Sequence, residues 1–299
     1  MTKQSPNRFL CAIDIITLVF SGWILLYMSL GIARVQDAHI QFPVFLSVVA
    51  GIMLLAWWQR STDSAAHPRL YAALKLVRSL YPVLLFGHFF TSGYAYNRII
   101  FSDWQDPFFM GIDRGIFGYL PSLEWGIRYD HWLVSELFHL AYFCYYPMIA
   151  GLPLYLYFKN PEGFTELFFN LCFVFYLCYF IFSILPVIGG RYIPEAMELT
   201  KVYRAGPFTH IMVFIYRNSH HLGGAFPSSH VAIAIVLTTG ALRFARRLGY
   251  LFVLISLFLS LATVYCHYHW FIDAVMGIFT GVGGYYLANY AHRKLQGAM

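Results

Sequence analysis

The chain has 299 residues, of which 59% are hydrophobic and 20% aromatic, and only 11% are charged. Soluble domains carry about a quarter charged residues, so this composition excludes a disordered chain, a nucleic-acid-binding protein and a secreted disulfide module. The five cysteines lie in apolar stretches without a Cys-x-x-Cys pair, which indicates neither a disulfide framework nor a zinc site. The composition predicts an all-α polytopic membrane protein with a single domain, 1–299.

Eight stretches are long and apolar enough to cross a bilayer core of about 30 Å, which takes roughly 20 residues. In chain order they are 10–33, 40–58, 71–92, 132–157, 165–188, 230–246, 249–267 and 270–290. Lys75 and Arg78, in the first turns of the third stretch, are expected to snorkel to the surface. The first stretch lacks a small-residue cleavage site, so we expect a retained span instead of a signal peptide.

Charge gives the expected orientation. With eight spans, the side that holds both termini carries ten Lys and Arg residues against eight on the other side, and includes the basic run 243–247. The positive-inside rule therefore predicts that this side is cytoplasmic. On the outer side, 93–131 and 189–229 mix aromatic and charged residues, which suits helices lying in the membrane interface and capping a site. The absence of an Asn-x-Ser/Thr sequon favours a bacterial plasma membrane, with the active site facing the periplasm or exterior, over a Golgi membrane with a luminal site.

A glycine-rich turn leads into the sixth predicted span. Gly223 and Gly224 precede the sequence Pro227-Ser228-Ser229-His230. Ser228 or Ser229 is a candidate N-cap, and the free N–H groups of a helix start suit a phosphate. His230 would stand beside that anion as a proton donor. Taken alone, the pattern is explained more simply by an ordinary capped helix with an interfacial histidine, because serine is common at N-caps.

Two further clusters fall on the same side by the span count. Arg191 follows two glycines, and its guanidinium offers a bidentate fork to phosphate oxygens, although an arginine snorkelling to headgroups is the alternative. His269 and Asp273 are four residues apart, so on a helix the carboxylate can accept a hydrogen bond from one imidazole nitrogen and fix the tautomer. His267 would point away on a helix and is interpreted as a packing or interface residue.

Three other polar residues lie within or near predicted spans. We interpret them as groups that form hydrogen bonds between helices; they are Asp14, Glu136 and His139.

The combination resembles the type 2 phosphatidic acid phosphatase superfamily. Its Pro-Ser-Gly-His motif appears as Pro227–His230, with Ser229 in place of the glycine. Its Ser-Arg-x5-His-x3-Asp motif appears with the same His and Asp, but with Ala262-Thr263 in place of Ser-Arg. Its first motif, Lys-x6-Arg-Pro, is reduced to Gly190-Arg191-Tyr192, with Ile184 where the lysine stands.

These departures resemble the inositol phosphorylceramide synthase branch. The features that carry this likeness are Gly-Ala-Phe-Pro-Ser ahead of His230, Thr263 in the third motif and His267 shortly before His269. The motifs cover about 186–275, and the earlier spans match only in general character. The resemblance implies a six-helix phosphatase-type core. Lys201, Arg204 or Arg217 could replace the missing motif cations, and the spacing does not decide among them.

The resemblance implies metal-independent phosphoryl transfer on a phospholipid or lipid phosphate, with no cofactor. His269 would be the nucleophile, oriented by Asp273, and His230 would protonate the leaving group and then activate the second acceptor. Arg191, Ser228 and the amide of Ser229 would hold the phosphoryl oxygens. That acceptor would be water in a phosphatase, or an inositol- or ceramide-type alcohol in a phosphotransferase.

Two other function classes stay open at this stage. One is a metal-dependent intramembrane hydrolase, whose ligands would come from His220, His221, His230, His267, His269 and Asp273. The other is a non-enzymatic lipid transporter or scaffold in which the histidines are interfacial residues.

Overall fold

The computed structural model describes residues 9–194, 196, 206–217 and 222–297. These residues form helices and connecting turns without a β-strand. We number the α-helices in chain order as α1 Ala12–Leu30, α2 Ala38–Ser61, α3 Pro68–Ser92, α4 Asp106–Phe117, α5 Pro121–Arg128, α6 Trp132–Phe143, α7 Tyr145–Lys159, α8 Pro161–Ile184, α9 Pro207–Arg217, α10 Ser229–Phe244, α11 Arg246–Tyr265 and α12 Phe271–Gly297.

Within the described ranges, 7 helical segments are long and apolar enough to cross a membrane, with α6 and α7 counted as the single segment Trp132–Lys159. The predicted all-α polytopic membrane protein is therefore confirmed. The predicted fourth span consists of two consecutive helices, α6 and α7, which are separated at Cys144. The predicted sixth span is α10, whose 16 residues rise about 24 Å, which is shorter than the hydrocarbon core.

Helix α10 lies inside the bundle and packs against α7, α8, α11 and α12. Its approach to α12 depends on two glycines of that helix. An added Cβ at Gly277 or Gly281 would come within 2.7 Å of the carbonyl oxygen of Ser228 or Ala232, respectively. Small residues permit such close helix packing in membranes. The starts of α10 and α12 are consequently held side by side.

The stretch 93–131 forms the short helices α4 and α5 instead of a span. Helix α4 begins at Asp106 and ends before Gly118, which has a left-handed φ of 75°. Its Phe108 side chain is exposed, whereas Phe109 and Asp113 are buried. The buried side of α4 packs toward the start of α12, so the segment 93–131 contributes to the site described below.

A buried ion pair joins the first three helices. Arg78 Nε donates to Asp14 Oδ2 at 2.9 Å, and Arg78 Nη1 donates to Gln59 Oε1 at 3.1 Å. The side chains of Arg78 and Asp14 are only 10% and 0% exposed. The expectation that Arg78 snorkels to the surface was therefore wrong, because Asp14 on a neighbouring helix compensates its charge inside the bundle.

Candidate active site

Three loops meet at one end of the helix bundle. They are the first loop, 185–190; the second loop, 222–228; and the third loop, 266–270. The Ala225 N–H of the second loop donates to the Val187 carbonyl oxygen of the first at 2.9 Å. The Ser228 N–H donates to the Asp273 carbonyl oxygen, just beyond the third loop, at 3.0 Å. The three sequence motifs therefore converge on one end of the bundle.

Gly189 sets the distance between the first and third loops. Its φ is +81°, and a Cβ at this position would lie 2.5 Å from the Tyr268 carbonyl oxygen. A residue with a side chain would be strained in this backbone conformation, and its Cβ would clash with this oxygen. Gly189 is thus required for the close contact between the first and third loops.

These loops and the start of α10 enclose a cavity of about 70 Å³ that is lined by Arg191, Ser229, His230 and His269. Since one buried water needs roughly 10–15 Å³ on this measure, the cavity has room for a group of several atoms, such as a phosphoryl group. The rest of its wall is largely aromatic and includes Phe90, Tyr142, Tyr192, Tyr216 and Tyr268.

Two imidazole rings line this cavity in an edge-to-face arrangement, with the ring centres of His230 and His269 6.3 Å apart. His269 Nδ1 lies 3.6 Å from Asp273 Oδ2, beyond hydrogen-bond distance, and has no hydrogen-bond partner among the described residues, so the expected hydrogen bond between the two side chains is not formed. Helix α12 starts at Phe271, so His269 precedes the helix and meets Asp273 across its first turn, instead of sharing a helical face with it. Burial and, secondarily, the neighbouring His230 lower the pKa of His269 to about 3. The ring is therefore neutral at pH 7, which is the form that can act as a nucleophile.

Arg191 brings a positive charge to the cavity. Its Cζ lies 4.0 Å from the centre of the Tyr216 ring, which stacks on Tyr268 with ring centres 4.3 Å apart. Arg191 Nη1 is buried without a hydrogen-bond partner among the described residues. A buried unpaired donor costs free energy, and an anion in the cavity would satisfy it.

The two serines of the second motif have different surroundings. Ser228 is fully buried, and its hydroxyl caps α10 by accepting from the Val231 N–H at 3.5 Å. Ser229 is the first residue of α10 and lines the cavity together with His230. N–H groups in the first turn of a helix lack intrahelical partners and attract anions. Ser229 is thus the serine that lines the cavity, and Ser228 stabilises the helix start.

Several residues considered from the sequence lie outside the described part of the chain. They are Lys201, Arg204, His220 and His221, together with the side chain of Arg217. Within the described residues, no group of three or more His, Cys, Asp or Glu side chains is arranged to hold a metal ion. His267 has a left-handed φ of 62°, and its Nδ1 contacts the Ser122 carbonyl oxygen, so it packs against α5.

Two carboxylates that the sequence reasoning missed support the third loop and the start of α12. Asp106 Oδ1 accepts from Trp270 Nε1 at 2.8 Å. Asp113 accepts from the N–H groups of Phe271 and Ile272 at 2.7 and 3.1 Å. Burial raises the pKa of each carboxyl, and these hydrogen bonds oppose that shift. The two aspartates are seven residues apart, which places them on one face of α4; that spacing was the available signal.

Glu136 fixes the position of α9, the helix that carries Tyr216. Its carboxylate accepts from the N–H groups of Gly206, Phe208 and Thr209 at 3.1, 2.9 and 3.1 Å. A carboxylate at a helix start both caps N–H groups and complements the helix dipole. The interpretation of Glu136 as a hydrogen-bonding group between helices fits these contacts.

Comparison with known proteins identifies the family. A family model described as the PAP2 superfamily matches residues 112–287, more than half of the chain. No curated protein and no solved structure matches. The superfamily expected from the motifs is confirmed, whereas the inositol phosphorylceramide synthase branch stays a prediction. The chain is a member of the PAP2 superfamily, whose members are generally phosphatases.

Proposed function

We propose that this protein transfers a phosphoryl group from a phosphorylated lipid through a covalent intermediate on His269, without a metal ion or cofactor. The observation that carries the proposal is the pair of imidazoles, His230 and His269, 6.3 Å apart at one cavity. Arg191, with its unpaired buried donor, lines the same cavity. Superfamily membership supports phosphatase-type chemistry on lipid phosphates.

In the first step, His269 attacks phosphorus. Its Nδ1 is turned toward Asp273, which leaves Nε2 as the attacking nitrogen. A P–N bond forms, the P–O bond to the lipid breaks, and the leaving oxygen takes the electron pair and a proton from His230. Arg191 and the first turn of α10 at Ser229 stabilise the charge on the equatorial oxygens.

In the second step, an acceptor hydroxyl gives its proton to neutral His230, and its oxygen attacks phosphorus. The P–N bond breaks, and its electron pair returns to Nε2 of His269. His230 is then protonated for the next cycle, and Asp273 has stabilised the imidazolium-like intermediate throughout. Water as the acceptor makes the protein a phosphatase, and an alcohol makes it a phosphotransferase.

The finer assignment is an inositol phosphorylceramide synthase-like phosphotransferase with an inositol- or ceramide-type acceptor. The aromatic wall formed by Tyr142, Tyr216 and Tyr268 supports it, since such a wall restricts water and offers apolar surface to an organic acceptor. We further propose that the site faces the periplasm or exterior of a bacterial plasma membrane, or the Golgi lumen in a eukaryote, following the Lys and Arg distribution.

The decisive experiment is trapping and locating the phosphoenzyme. Purified protein is incubated with a ³²P-labelled lipid phosphate or phospholipid in EDTA, quenched in alkali and digested. Mass spectrometry is expected to find a phosphoryl adduct at His269, which is phosphohistidine from a lipid phosphate and its headgroup ester from a phospholipid, and His269→Ala is expected to lose it. Adding inositol or ceramide separates the activities: label moves to the alcohol in a phosphotransferase and to free phosphate in a phosphatase.

The same experiment distinguishes the other function classes. Loss of activity in EDTA, restored by a divalent cation, would favour a metal-dependent hydrolase. A folded His269→Ala protein with unchanged lipid turnover would contradict the phosphohistidine route, and lipid movement without label transfer would favour a transporter. Thermal melting of the wild type and of His269→Ala shows whether the variant is folded, so that activity lost through misfolding is not mistaken for activity lost with the His269 side chain.

A further inference from the structure

We propose that Asp106 is a positioning residue that holds the loop carrying Arg191 and the loop carrying His269 in the arrangement that phosphoryl transfer requires. The inference rests on the proposed function and adds a residue to it. Asp106 precedes the part of the chain that the family model matches, which begins at residue 112.

Asp106 contacts both loops through one carboxylate. Oδ1 accepts from the Gly189 N–H and from Trp270 Nε1, both at 2.8 Å, and Oδ2 accepts from the Ile188 N–H at 3.0 Å. Gly189 is two residues before Arg191, and Trp270 directly follows His269. One side chain therefore links the phosphate-binding side of the cavity to the nucleophile side.

Burial makes this link strong and intolerant of change. Asp106 is 4% exposed and Trp270 is 0% exposed, so water does not replace a lost partner. An ionised carboxylate is an acceptor at every lone pair, and its hydrogen bonds are about twice as strong as neutral ones. Asparagine keeps one acceptor oxygen but turns an NH₂ group toward at least one of the three donors.

The expected consequence is geometric. Without the link, each loop relaxes independently, and the distance between the Arg191 guanidinium and the His269 ring is no longer fixed. Misplacing a reacting group by about 1 Å costs on the order of 10²-fold in rate. We therefore expect loss of Asp106 to lower kcat and to weaken anion binding, although the side chain itself does not line the cavity.

The test compares Asp106→Asn, Trp270→Phe and the double variant. Trp270→Phe keeps an aromatic side chain but removes the Nε1 donor to Asp106 and part of the indole volume. The matched control is Trp23→Phe, which removes one indole hydrogen bond, to Ser183 Oγ at 3.2 Å, away from the cavity. Each protein is measured for melting, for kcat and KM with labelled lipid, and for affinity for inorganic phosphate.

We expect Asp106→Asn to lower kcat by on the order of 10²-fold and to weaken phosphate binding. Trp270→Phe should change both in the same direction, and the double variant should lose less than the sum of the two single losses, because both substitutions act on the Asp106–Trp270 contact. Trp23→Phe should keep wild-type kcat, KM and phosphate affinity.

Two results would overturn the inference while leaving the proposed function intact: wild-type kinetics in Asp106→Asn and Trp270→Phe, or fully additive losses in the double variant. Lipid inactivity of the wild type would instead refute the proposed function. In that case the affinity for inorganic phosphate is the only remaining test of the role of Asp106. A wild type that binds no phosphate would overturn that role, and so would variants that bind phosphate as tightly as the wild type.

Discussion

Gly277 of α12 lies against Ser228, so close that an added Cβ would be 2.7 Å from the Ser228 carbonyl oxygen and 2.9 Å from Val231 Cβ. Neither contact is the flexible end of a side chain. Ser228 also donates its N–H to the Asp273 carbonyl oxygen at 3.0 Å. The short distance between Ser228 of the second motif and Asp273 of the third motif therefore depends on the absence of a side chain at Gly277.

We expect Gly277→Ala to push α12 away from α10 and to lower kcat by on the order of 10²-fold, because His230 and His269 would move apart. Turnover of labelled lipid by detergent-purified protein measures this. Gly283→Ala is the control on the same helix, since nothing lies within 4 Å of a Cβ there. Equal activity of the two variants would show that the glycine contact does not set the site.

Arg191→Lys is expected to lower kcat/KM by on the order of 10²-fold, because an ammonium does not reproduce the guanidinium fork. The comparison variant is Tyr216→Phe, which keeps the ring beneath Arg191 and loses only the hydroxyl contact with Tyr142. It should lose less than Arg191→Lys. Steady-state kinetics on the same lipid give both values, and wild-type kinetics in Arg191→Lys would remove Arg191 from the proposed site.

The burial of His269, the proposed nucleophile, should determine how activity depends on pH. Because burial lowers the pKa of His269 to about 3, protonation does not remove the nucleophile near its ordinary value of about 6.5. With a phosphodiester lipid, whose charge is constant in this range, kcat/KM should show no acid-side loss centred near 6.5. An acid limb at that pH would contradict the buried, neutral state of His269.

The stability of the protein should also depend on pH and should fall on the acid side. Unfolded His269 binds a proton below about 6.5, whereas the folded ring stays neutral down to about 3. The unfolded state therefore binds more protons between these values, and His269 makes stability fall as the pH drops through this window. Melting temperatures of wild type and His269→Ala against pH should show a smaller acid-side decrease for the variant, and parallel curves would contradict it.

Asp14→Ala should destabilise the protein by about 3–5 kcal/mol, because it leaves the Arg78 charge buried and uncompensated. Replacing both partners, as in Asp14→Leu with Arg78→Met, should recover most of that loss. Thermal melting measures the stability, and turnover per folded molecule should stay at the wild-type value because the pair lies outside the cavity. A destabilised double variant equal to Asp14→Ala would contradict this account.

Hydrophobic length and the span count were sufficient to predict the all-α membrane fold and to place the motifs at one end of it. Counting the spans shows which helix ends lie on the same side, and this count predicts that His230 and His269 lie at the same end of the bundle although a helix separates them in sequence. It gives no lateral distances. The pairing of Asp14 with Arg78, 64 positions apart, depends on which helices are neighbours, which a single hydropathy pattern does not contain.

The supporting residues of the site were harder to predict than the residues at the cavity. His269, His230 and Arg191 stand in short local patterns, whereas Asp106 acts on backbone 82 and 83 positions away. Such a contact leaves no local trace except the spacing of Asp106 and Asp113 on one face of α4. His267 was interpreted as helical, but it adopts a left-handed backbone conformation in the turn before α12, because the third loop must reverse the chain direction.

Residues before position 112 contribute to the cavity, and this affects where the protein can be truncated. The family match begins at residue 112, within α4, yet Phe90 lines the cavity and Asn97 Nδ2 donates to the Leu222 carbonyl oxygen at 3.1 Å. A fragment trimmed to the matched boundary would begin partway through that helix and lack part of the pocket wall. Truncated expression and chimeras between relatives should therefore keep everything from α3 onward from a single parent.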